Sequence, residues 1–233
     1  MASTFVGLIQ VARTDFTRQV SSTHATTWNY GSSKGINLIP LANTEIDINL
    51  PPYLQRGAHG TVDGAGDMSF LLKYRFLTGN EKHGNYALSA FVASTIPTGS
   101  HKNGSADATV APTLGAGKGF GRFNVQSTLG GTLPTGNTKQ LGRLVVWNTT
   151  GQYHLGKYLW PEVEFNSTYF HGGSNDGKTQ SFITPGFTVG RIKLRPSDEN
   201  SRLGIGIGGA IQIATSQFHS YNHGLIFTSR FLF

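Results

Sequence analysis

The chain has no cysteine among its 233 residues, so disulfide stapling and thiolate chemistry are excluded. Charge is scarce as well. Asp, Glu, Lys and Arg make up 13% of the sequence, which excludes a charged disordered segment and a charge-dense soluble surface. Long apolar runs are also missing. Hydrophobic residues reach 37%, mean hydropathy is -0.20, and no stretch approaches the roughly 18 consecutive apolar residues of a spanning helix, so a helical membrane protein is excluded. The net charge of +7 comes from Lys and Arg scattered through the chain without forming a stripe, and no nucleic-acid partner is expected. The eight histidines are dispersed and form no ligand pair with a carboxylate, so neither a metal nor any other cofactor is expected.

What the chain has in quantity is glycine, 31 residues, and aromatic side chains at 11%. From residue 17 onward it divides into segments of about ten to fifteen residues, separated by clusters of Gly, Asn, Asp, Ser and Pro, as antiparallel hairpins require. The last two segments show the period of two most cleanly. Leu203, Ile205, Ile207, Ile211 and Ile213 share one parity, against Gly204, Gly206, Gly208, Ala210 and Gln212 on the other. In the final segment Tyr221, Leu225, Phe227, Phe231 and Phe233 alternate with Asn222, Gly224, Thr228 and Arg230.

A soluble sandwich shows the same alternation, so other features must separate it from a membrane barrel. The polar faces carry Asn124, Gln126 and Thr128, then Glu162, Glu164 and Asn166, then Glu45, Asp47 and Asn49, which suits a wet lumen. Connections alternate between tight ones (Leu41 to Thr44, Gly121-Arg122, Gly156-Lys157) and longer polar ones (Gln55 to Gly66, Pro97 to Ala106, His171 to Thr179). Outer-membrane barrels have short periplasmic turns and longer external loops, and this assigns a direction to each strand. Two connections on the periplasmic side, Thr78 to Asn85 and Arg195 to Ser201, are longer than that rule prefers. Tyr74, Phe76, Tyr86, Phe120, Phe123, Tyr153, Tyr158, Phe231 and Phe233 fall beside the periplasmic turns, as an interfacial girdle would, and Tyr53, Tyr169, Phe170, Phe218 and Tyr221 fall at the opposite ends.

The predicted fold is all-β: a transmembrane antiparallel up-and-down barrel of about twelve strands, the even number that closure expects. The strands are predicted near 17–30, 31–41, 44–54, 66–78, 85–97, 108–120, 123–134, 142–155, 158–170, 179–194, 202–216 and 221–233. Residues 1–16 precede this barrel domain (17–233) as a tail, a plug or the remnant of a signal. As a secretory signal the start MASTFVGLIQVART is poor, lacking a basic first region.

GAGDMSFLLKYRFL at Gly64 to Leu77, followed by STIPTGS (Ser94 to Ser100) and GTLPTGN (Gly131 to Asn137), resembles the outer-membrane family named for the meta-pathway of phenol degradation. The resemblance runs from about Phe16 to Phe233. It implies a porin-like transporter in the outer membrane of a Gram-negative cell, passing small, apolar or aromatic molecules. Read physically, each Pro-Thr-Gly element ends a rising strand, since Pro cannot donate to the ladder and Gly lets the chain turn.

Lumenal charges are the best candidates for a functional site. Glu45 and Asp47 begin a rising strand, Lys73 and Arg75 end its neighbour, and all four take the inward parity, so they should meet near the periplasmic end. With Gln126, Glu162, Glu164 and Arg230 they are candidates for lining and selectivity, either as a ring that narrows the pore or as mutually paired charges that plug it. Arg191 and Lys193 carry the outward parity unless a bulge at Pro185-Gly186 turns them inward. The enzyme alternative, hydrolysis of lipid acyl chains, would need Ser and His in hydrogen-bond reach at a rim, among His219, Ser220, His223 and Ser216 or His171, Ser174 and Asp176. Phe227, Phe231 and Phe233 present an alternating aromatic C-terminus that resembles the signal read by the outer-membrane assembly machinery. That machinery, outer-membrane lipid and a small-molecule substrate are the expected partners.

Overall fold

The structure, a computed structural model, describes residues 6–32, 34–198 and 201–233. Its strands in chain order are β1 (Val11–Val20), β2 (Thr26–Tyr30), β3 (Gly35–Leu41), β4 (Thr44–Asn49), β5 (Tyr53–Arg56), β6 (Gly64–Ala65), β7 (Met68–Gly79), β8 (Tyr86–Ile96), β9 (Thr109–Phe120), β10 (Phe123–Pro134), β11 (Arg143–Tyr153), β12 (Leu159–His171), β13 (Thr179–Lys193), β14 (Gly204–Ala214) and β15 (His223–Leu232). All neighbours pair antiparallel, and the sheet closes where β1 meets β15, in register from Val11↔Leu232 to Val20↔His223. β2 and β3 pair with successive stretches of β1 and form one interrupted stave; β4 with β5, and β6 with β7, do the same. The result is a closed transmembrane barrel of twelve staves. Pro51 and Pro52 stand between β4 and β5, where a missing N–H cannot continue a ladder.

The partition of side chains is the reverse of a soluble domain. Leu72, Leu114, Leu129 and Ile207 are each more than half exposed on the outer wall, whereas Glu45, Glu164 and Thr184 are buried at 0–1%. Apolar groups outside and polar groups inside are stable only if hydrocarbon surrounds the wall.

The two-residue turns gather at one end of the barrel, at Ala42-Asn43 and Gly121-Arg122, with the longer connections 80–85, 154–158 and 194–203. Residues 199–200 of the last lie outside the described residues. Gly121 takes the positive φ, 61°, that glycine supplies at the first position of a type II′ hairpin turn. Beside these turns Tyr74, Phe76, Phe120, Phe123, Tyr153, Tyr158 and Phe231 are exposed on the outer wall, as a girdle requires.

Three expectations need correction. The barrel begins at Val11, inside the segment assigned to a tail. Residues 17–30 are not one strand: they hold the end of β1, a turn at 21–25 and β2. The polar Ser21-Ser22-Thr23-His24 run is that turn, and Arg13 and Asp15 disguise the start of β1 because they face a wet lumen. At the long-loop end, Phe170, Phe218 and Tyr221 do not join a girdle. Phe170 pairs with Leu144 on the inward parity, Phe218 packs edge-on against Phe170 at 5.5 Å, and Tyr221 stacks on the buried Phe182 at 4.6 Å. Tyr53 and Tyr169 are exposed as expected, and Phe16, Trp28 and Tyr30 join Tyr53 through ring contacts of 6.1–6.5 Å.

Introducing Lys at Leu129, on the outer wall of β10, should destabilise the barrel in lipid vesicles by about 2–4 kcal/mol in denaturant titrations. An unchanged midpoint would mean that this face does not meet hydrocarbon.

Candidate functional site in the lumen

Alternation along each strand decides what enters the lumen. Every one of Glu45, Asp47, Lys73, Arg75, Gln126, Glu162, Glu164 and Arg230 takes the inward parity, and all but Arg75 line a single cavity of about 520 Å³. Lys73 Nζ donates to Glu45 Oε1 at 2.6 Å, both side chains being at most 1% exposed. Arg75 points away toward the turn, donating to Asn43 Oδ1 at 2.9 Å. The expected cluster of four is therefore a buried pair with Asp47 beside it. Glu162 and Glu164 on β12 do not join it, because five staves separate β12 from β4 in either direction and place them across the lumen. Gln152 Nε2 donates to Glu162 Oε2 at 2.5 Å. Arg230 lies opposite Arg13 in the closing register, and Arg13 pairs with Asp15.

The chain before β1 runs inside the barrel. The Val6 N–H donates to Gln126 Oε1 at 2.9 Å, and the Val6 carbonyl accepts from Ser89 Oγ at 2.8 Å. The Gly7 carbonyl accepts from Lys73 Nζ at 3.1 Å, and the Ile9 N–H donates to Glu45 Oε2 at 2.5 Å. Extended backbone without a sheet partner needs such acceptors and donors, and the polar wall provides them. The segment thus crosses from β10 and β8 to β7 and β4, and the cavity beside it is lined from every long strand except β8 and β9. Room for it comes from β9: a Cβ on Gly115 would lie 2.8 Å from the Phe91 ring and 3.0 Å from Val6. Of the three readings of the N-terminal segment, residues 6–10 occupy the place of a plug; residues 1–5 lie outside the described residues.

Arg191 also lines the cavity, turned inward by a register shift between Val189 and Ile192 and not by one at Pro185-Gly186. Sequence reasoning missed Arg13, Asp15, Val6 and Ile9, all inside the presumed tail, and Trp160, which lines the cavity and stacks on His154 at 4.0 Å near the short-turn end. The parity of Trp160 with Glu162 and Glu164 was a usable signal for it. Toward the long-loop end the inward face becomes aromatic. There burial pushes the Tyr221 phenol up to about 12, so it stays protonated and donates to Gln212 Oε1.

Four of the rim residues weighed for acyl-chain hydrolysis, Ser216, His219, Asp176 and Ser174, are engaged otherwise. Ser216 Oγ donates to the Phe218 carbonyl, the His219 ring nitrogens face the Ser216 carbonyl and Asn222, Asp176 accepts from the Gly172 N–H, and Ser174 Oγ donates to the Gln140 carbonyl. Among the described residues no group of three or more His, Asp or Glu is arranged to hold a metal.

The fold and lumen define a twelve-stranded transmembrane β-barrel with a polar interior. Solved structures of similar fold are the NanC porin, with a TM-score of 0.61, 8% identity and coverage of 94% of this chain and 98% of that one, and the COG4313 outer membrane channel from Pseudomonas putida F1, with a TM-score of 0.63, 13% identity and coverage of 97% and 96%. No protein-family model and no curated protein matches the chain, so the likeness to the phenol meta-pathway family carries no further than its barrel.

Replacing Lys73 by Met should cost about 3–5 kcal/mol, because Glu45 is left as an uncompensated buried charge. Adding Glu45→Gln should return part of that loss. Thermal unfolding followed by circular dichroism, read as a double-mutant cycle, checks both steps.

Proposed function

We propose that this protein is a passive channel of a bacterial outer membrane, admitting small molecules of apolar or aromatic character. The observation that carries the reading is the 520 Å³ lumenal cavity left beside the N-terminal segment, together with the inward aromatic pairs Phe182–Tyr221 and Phe170–Phe218 toward the opposite mouth. An aromatic mouth offers apolar solutes a surface that water does not compete for, and the charged waist below it discriminates among what passes. Similarity of fold to outer membrane channels supports the same reading. In this reading the short-turn end faces the periplasm, the aromatics beside it and the outward Phe227, Phe231 and Phe233 meet lipid, and the last three also serve as the assembly signal. The chemistry is transfer without bond making, so the protein is not an enzyme and uses no cofactor.

A closed structural barrel is the second reading, favoured by the four hydrogen bonds that hold Val6, Gly7 and Ile9 in the lumen.

Planar-bilayer recordings separate the two. The channel reading expects small unitary currents, a several-fold rise on removal of residues 1–10, and a weaker cation preference in the Glu162→Gln, Glu164→Gln variant. Silence from both full-length and truncated protein would overturn it and leave the closed barrel. Vesicle uptake of a small aromatic solute should fall in the Phe182→Ala, Tyr221→Ala variant.

Deleting Phe233 should lower the yield of folded, heat-modifiable barrel in cell envelopes while leaving the unitary current of the inserted fraction unchanged. Equal insertion with and without Phe233 would remove the assembly role.

A further inference from the structure

The outer wall carries a second cavity, of about 420 Å³, that plays no part in the lumen. Its origin is a missing side chain. Across the outer face of β10 to β13 the register sets Val125, Gly151, Val163 and Pro185 in one row, and Gly151 leaves a dip between the ridges on either side. One row nearer the short turns stand Phe123, Tyr153 and Pro161. Prolines suit these positions because their ring faces outward and adds a rigid apolar wall. The dip is walled by Phe123, Pro161, Val163 and Pro185, an apolar lining.

Two cations stand in the turns below it. Arg122 directly precedes Phe123, and Lys157 lies in the turn between Tyr153 and Pro161; both side chains are exposed. The two turns are tied together, since the His154 N–H donates to the Arg122 carbonyl at 2.8 Å. Lys157 Nζ sits 5.0 Å from the centre of the Tyr158 ring, which marks the level where the wall leaves hydrocarbon for headgroups.

We propose that this groove is a binding site for one phospholipid, an acyl chain lying over Gly151 between Val163 and Phe123 and the phosphate held by Arg122 and Lys157. An anionic phosphodiester complements the two cations, and an acyl chain fills the dip that Gly151 leaves. The site is independent of conduction, so a silent channel would not weaken it.

Native mass spectrometry of delipidated protein with palmitoyl-oleoyl phosphatidylglycerol tests the proposal. Wild type should retain one lipid through detergent release, and the Arg122→Gln, Lys157→Gln variant should hold it about ten-fold more weakly. Gly151→Leu should lose it as well without losing the fold, because a Cβ there lies at an ordinary 3.5 Å from the Phe123 ring. Gly131→Leu, on the outer face of β10 toward its other end, should retain the lipid. Equal retention by wild type and the double variant, or retention by Gly151→Leu, overturns the site. Competition by glycerol 3-phosphate as strong as by the lipid would also overturn it, since the acyl chain would then contribute nothing.

Discussion

Closure of the sheet between β1 and β15 is the constraint on which the rest depends. Hydrocarbon offers no partner to a backbone N–H or carbonyl, and an open edge in it would leave a row of such groups unsatisfied at several kcal/mol each. Ten residues of β1 meet ten of β15, and that single ladder turns fifteen strand segments into a wall without edges. The inverted partition then follows. With the outer face in lipid, the inward face must hold the polar side chains, and these must satisfy one another in a narrow space.

Glu45 shows how that is achieved. Its carboxylate accepts from Lys73, from Asn37 Nδ2 at 3.2 Å and from the Ile9 N–H, so it is at once half of an ion pair and an anchor for the chain before β1. Glycine on β9 makes room for backbone, and charges from both sides face the cavity beside it.

Much of this was legible from alternation alone. Strands from 44 onward were visible because each long stave has one face in lipid, so apolar side chains recur at every second position. The inward parity was visible for the same reason, and all of the set but Arg75 line the cavity. What escaped had its signal cancelled locally. Arg13 and Asp15 gave β1 the look of a polar tail, the bulge after Val189 switched Arg191 from one face to the other, and Phe170, Phe218 and Tyr221 looked like a second girdle because aromatics serve both lipid and an apolar mouth.

By itself the sequence determined the architecture: no helix could span, and period-two strands with unequal loops leave a closed barrel as the form that satisfies the backbone in lipid. Only the tertiary structure decided which charges meet. Pairing of Glu45 with Lys73, the separation of both from Glu162 and Glu164, and the course of Val6 to Ile9 through the lumen depend on the order of staves around the circle. Local periodicity says which face a residue takes and carries no information about what stands across from it.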